Sequence, residues 1–140
     1  MIEQKDVVRM RIPFPDINSS LAVYSHMYIC IKEGLEKEFI KCQTYKPLKH
    51  LSGEPPYVFI IESADINRNP FNHTSIIDCD KKFRVNNVVI SRELLTTNRK
   101  DICVELFTDI MQKIQHEDFM CEDLDPIEVA SINHKIAFIN

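Results

Sequence analysis

Apolar and polar positions alternate through much of the first half of the chain, at the period of half-buried strands. Residues 6–12 (Asp-Val-Val-Arg-Met-Arg-Ile) predict a first strand. It must end at Pro13-Phe-Pro15, because proline has no N–H for a sheet ladder. Residues 13–20 carry turn chemistry throughout and predict a loop. Leu21–Lys32 reads as one long strand, with Val23, Met27, Ile29 and Ile31 on one face and Tyr24, His26, Tyr28 and Cys30 on the other. Glu33-Gly34 marks a turn into a third strand over Glu38–Thr44, so these two strands form a hairpin.

Regularity then breaks over residues 45–56, which hold Pro47, Gly53, Pro55 and Pro56. Tyr57–Ile61 is an apolar run of strand length, Glu62–His73 is loop-like, and Thr74–Asp78 and Lys82–Val85 read as strands. Ile90–Leu95 predicts a helical turn starting near Ser91. Asn98 with Asp101 three residues on has the form of a helix start. Ile102, Leu106, Phe107, Ile110, Met111 and Ile114 then make one apolar stripe at helical period, a core or interface face. Five or six short strands followed by a C-terminal helix predict a mainly β domain over residues 1–115, a small curled sheet or barrel capped by helix, with an acidic tail over 116–140.

Composition narrows the functional classes. With Gly34 and Gly53 the only glycines, there is no Gly-rich loop to cradle a phosphate and no dinucleotide fingerprint. No apolar run reaches membrane-spanning length, and the N-terminus lacks the build of a signal peptide, so a cytoplasmic protein is expected. The five cysteines are widely spaced, with no C-x-x-C pair, and the five histidines lack metal-ligand spacing; reduced core thiols and no metal or cofactor are expected. Charge is uneven. Residues 115–140 carry one Lys against six acids, while the rest of the chain is near neutral. Two local basic segments remain, Lys41/Lys46/Lys49 and Lys81/Lys82/Arg84. Either is large enough for a small RNA site or ordinary enough for a solvated surface.

Four segments in order resemble the PemK/MazF/Kid family of toxin endoribonucleases: Arg11-Ile-Pro-Phe-Pro-Asp16, Ser25-His-Met-Tyr-Ile-Cys-Ile31, Lys41-Cys-Gln-Thr44, and Ile77-Asp-Cys-Asp-Lys-Lys-Phe-Arg-Val85 with Ser91-Arg-Glu-Leu-Leu95 and the amphipathic helix after it. The resemblance implies an SH3-like barrel, a homodimer, single-stranded RNA as substrate and a cognate antitoxin as partner. His26-Met27 stands where the family has a basic-Pro dipeptide, and Asp78 stands where one branch has an Arg before its Cys-Asp pair.

Metal-independent RNA cleavage needs a base for the 2′-OH, an acid for the 5′ oxygen and donors for the phosphorane charge. His26 fits the acid or base, Asp80 a second acid/base or an orienter, and Thr44 a hydrogen-bond donor to phosphate. Arg11, Lys46 and Arg84 are the candidate phosphate-binding cations. A catalytically silent member of the same fold, binding a protein or nucleic acid, is the alternative; the acidic balance and the replaced arginines favour it. The segment Glu117–Glu128 alternates acids with apolar anchors. It reads as a solvated, partly disordered terminus, or else as a phosphate mimic folding back on the basic groove.

Overall fold

The computed structural model describes all 140 residues. The strands are β1 (Val7–Met10), β2 (His26–Lys32), β3 (Glu36–Thr44), β4 (Phe59–Glu62), β5 (Ser75–Asp78), β6 (Lys81–Asn86), β7 (Val88–Ile90), β8 (Met120–Asp123) and β9 (Ile136–Phe138). The helices are α1 (Ser20–Val23), α2 (Pro47–His50), α3 (Val104–Lys113) and α4 (Pro126–Ile132). No helix is long and apolar enough to cross a membrane.

The mainly β class is as expected; the closed barrel is not. β1, β2 and β3 pair antiparallel in order, and the far edge of β3 is shared. Its N-terminal half pairs with β6 and its C-terminal half with β5. From there the sheet fans apart, β5 going on to β4 and β6 to β8, instead of curling back to β1. The outer edge of β1 meets only single bridges, Asp6 to Asp101 and Val8 to Leu95. The sheet is therefore open, and its two faces carry two cores. One holds Val8, Met10, Tyr28, Phe39, Phe83 and Val85 under β7, β9 and α4. The other holds Val7, Ile29, Ile40, Cys42 and Ile77 under the Ile102/Leu106/Ile110 stripe of α3. Burial on both faces accounts for the four consecutive buried residues in β2 (Tyr28–Ile31) and in β5.

Local chemistry moved several boundaries. The long strand expected from Leu21 is split, because the Ser19 hydroxyl accepts from the Ala22 N–H and starts α1. α3 begins at Val104, where the Cys103 thiol accepts from the Leu106 N–H; Asn98 does not cap it, and the Asp101 carboxylate accepts from Arg99 Nε at 3.0 Å. The turn after Ser91 forms as read, a 3-10 turn over Arg92–Leu94 capped by the Ser91 hydroxyl.

Residues 116–140 are not a solvated terminus. β8 runs parallel to β6, β9 pairs antiparallel with β7, and Val129 and Ile136 are buried in the first core. Asn133 holds the far end of β1. Its Oδ1 accepts from the Arg11 N–H at 2.8 Å and its Nδ2 donates to the Arg11 carbonyl at 2.7 Å. The overlooked signal was Asp125-Pro126, an N-cap followed by proline at the first helical position.

Candidate basic cleft

One end of the sheet opens as a cleft of about 500 Å³, where the C-terminal end of β1, the start of β2, the end of β3 and the start of β5 meet. Arg9, Lys41, Lys46 and Lys49 line it with His26, His50 and His73; no Asp or Glu does. A chain of formal net charge −4 thus concentrates positive charge in this cleft. The walls are fixed from below. β-Pairing sets Met10 opposite His26, Tyr28 opposite Lys41 and Thr44 opposite Ser75. The far wall, Phe71–His73, is held by the buried Asn69, whose Nδ2 donates to Glu62 at 2.8 Å and whose Oδ1 accepts from the Phe71 N–H at 3.0 Å.

The ring of His26 is half-buried and its Nδ1 lies 3.1 Å from the Tyr24 carbonyl. A carbonyl only accepts, so Nδ1 carries the proton and the neutral ring keeps its lone pair on Nε2. Burial holds this imidazole below its ordinary 6.5, and the charge of Lys41 adds to that against the pull of the Tyr24 carbonyl. At neutral pH it is a free base. Lys41, opposite Tyr28 on the same strand face, is pushed down by burial and steadied by the buried Asp78. Asp78 is itself pushed up by burial while accepting from the Asp80 N–H at 2.8 Å. Burial drives the Cys42 thiol far above neutral, which leaves no thiolate nucleophile in the cleft.

Of the six residues singled out from the sequence, His26, Thr44 and Lys46 meet in the cleft. The other three do not join them. The Asp80 carboxylate accepts from the Tyr57 N–H at 2.6 Å and the Val58 N–H at 2.8 Å, and so ties down the approach to β4 instead of orienting His26. Arg84 is bound by Glu38 at 3.2 Å and by Asp123 of β8 at 3.4 Å. Arg11 lies outside the lining, its backbone clamped by Asn133. Sequence reading missed Arg9, His50 and His73 as cleft residues. Arg9 is the polar position between Val8 and Met10, and strand alternation points it away from the core those two enter. For His50 and His73 only tertiary folding supplies the signal.

No group of three or more His, Cys, Asp or Glu side chains is arranged to hold a metal ion. Comparison with protein-family models, with curated proteins and with solved structures returns no match.

Proposed function

We propose that the chain is a MazF/PemK-like endoribonuclease that cleaves single-stranded RNA, with the cleft as its active site. The observation that carries the reading is a free-base histidine in a cavity lined by four cations and no carboxylate. RNA is a polyanion, and such a cavity favours phosphate over other polar ligands. The ordered sequence motifs support the family, and with it a homodimer held by a cognate antitoxin.

His26 Nε2 takes the proton of the 2′-OH, and the 2′ oxygen attacks phosphorus. Lys41, which register places on the same sheet face as His26, balances the charge on the phosphorane oxygens, while Arg9 and Thr44 alternate to the other face and line the cleft beyond it. The bond from phosphorus to the 5′ oxygen breaks, and His73 supplies the proton to that oxygen. β2 and β5 flank β3, so their backbones are about 10 Å apart; His26 opens β2, and His73 lies in the turn just before β5. The products are a 2′,3′-cyclic phosphate and a free 5′-OH.

The test is incubation of the protein with an end-labelled single-stranded RNA in excess chelator. The expected result is cleavage with cyclic-phosphate ends that His26→Ala abolishes. Intact RNA that is nevertheless bound would instead establish the silent nucleic-acid-binding module, which the replacement of the family's basic-Pro dipeptide by His26-Met27 favours.

A further inference from the structure

From Lys46 to Pro55 every residue is exposed except His50, which is 5% exposed. Leu48 and Leu51 on either side of it stand in solvent at 95% and 70%. This segment carries two of the four cleft cations, Lys46 and Lys49, and no apolar anchor fixes it. What fixes it is the His50 ring. Nδ1 accepts from the Lys46 N–H at 2.9 Å, Nε2 lies 3.0 Å from the Gln43 side-chain amide on β3, and the ring stacks on Tyr45 at 5.7 Å. Because Nδ1 accepts, the neutral ring carries its proton on Nε2, which faces the amide nitrogen of Gln43; turning that amide over puts its oxygen there as the acceptor.

We propose that His50 is a positioning residue, a latch that docks Lys46 and Lys49 at the cleft, and that its protonation releases them. The inference rests on the cleft being the RNA site. An imidazolium has no acceptor at Nδ1, so the bond from the Lys46 N–H cannot survive protonation, and two donors then face each other. The charged groups facing the ring are all cationic: Lys46 and Lys49 from its own segment and Lys41 from β3. Gln43 and Tyr45 are neutral, and no carboxylate of the cleft compensates an imidazolium. Burial and these lysines hold the ring neutral at pH 7, so the latch is closed there and opens in acid.

The sign of the RNA response separates this device from plain electrostatics. Protonating histidines in a basic cleft should tighten binding of a polyanion. A released Lys46 and Lys49 should weaken it. The experiment follows amide exchange of residues 46–51 by mass spectrometry, corrected for intrinsic rates, and anisotropy of a labelled single-stranded RNA, both at pH 7.5 and pH 5. In the natural chain, protection of the Lys46, Lys49, His50 and Leu51 amides should fall about tenfold or more in acid, the scale of losing one buried hydrogen bond, and RNA affinity should fall with it. His50→Asn keeps an acceptor at the Nδ1 position and should hold protection constant, with no fall in RNA affinity in acid. His50→Ala should be unprotected and weak at both pH values. Equal protection of the natural chain at the two pH values, acid release in His50→Asn, or tighter RNA binding at pH 5 with the segment released would each overturn the latch. Acid release in a protein that binds no RNA at any pH would overturn the RNA site and leave the docking role of His50 standing.

Discussion

The two basic segments of this chain look alike in sequence and end in opposite electrostatic states. Lys41, Lys46 and Lys49 join Arg9 around a cavity with no acid in its lining. Lys82 and Arg84 on β6 lie against Glu38 of β3, with Glu36 and Asp123 adding to the pairing. The difference comes from register. β6 is flanked by β3 at its acidic end and by the acidic β8, so each of these cations finds a carboxylate. The cleft lies where β3 and β5 bring Lys41, Cys42, Gln43, Thr44 and Ser75 to the rim and no carboxylate. Counting lysines therefore identifies neither site; the strands beside them decide which positive charge is free to meet a ligand.

The largest effect should follow from removing residues 117–140. That deletion takes Asp123 from Arg84, and it also removes β8, α4, β9 and the buried Val129 and Ile136. The expected outcome is loss of the cooperative thermal transition in circular dichroism, so a merely unmasked β6 with an intact fold would show that the C-terminal elements are dispensable. Next comes His26→Ala, which should lower RNA cleavage about 10²- to 10⁴-fold with little change in RNA affinity. Because burial holds His26 below 6.5, loss of the free base should set in only on the acid side of that value; an acid limb that already begins above pH 7 would contradict the assigned base.

Smaller effects sharpen the contrast between the two segments. Lys46→Gln and Lys49→Gln should each lower the salt dependence of RNA affinity by about one unit of slope, while Arg84→Gln should leave it unchanged. Equal slopes for all three variants would erase the distinction. Glu38→Ala should cost about 1–3 kcal/mol in chemical denaturation by leaving Lys82 and Arg84 without their shared acceptor. It should also raise RNA affinity at low salt, as the β6 cations become available. The smallest effect is on stability in acid. His50 has a folded value depressed below 6.5, so the unfolded chain binds more protons there. Stability is then full above pH 6.5 and declines as pH falls below it; a midpoint in urea unchanged between pH 7 and 5 would count against the buried neutral ring.

Strand identities were legible because alternation and β-branched runs are local signals. β1, β3, β5 and β6 fall within two residues of where the pattern puts them. The core stripe of α3 was legible for the same reason, though its start was not, since a thiol took the capping place expected of Asn98. What the pattern could not give is partner choice. The division of β3 between β5 and β6 opens the sheet, and the acids of residues 117–128 hid a strand and a helix whose apolar residues are too few to stand out. The site was half legible. His26, Thr44 and Lys46 sit on elements whose order the sequence exposes, whereas Asp80, Arg11 and Arg84 were separated from them by pairings that only folding decides.

The clamp between Asn133 and Arg11 joins positions 122 residues apart, and β6 with β8 closes another long loop. Chains whose native pairings are this distant in sequence find them slowly, because loop-closure entropy is spent before any contact rewards it. Until the C-terminal elements arrive, the outer edge of β6 is a bare strand and the core beneath α4 is open to water. The same clamp that completes the native fold thus sets the interval in which a half-folded chain is most exposed to sticking to its neighbours.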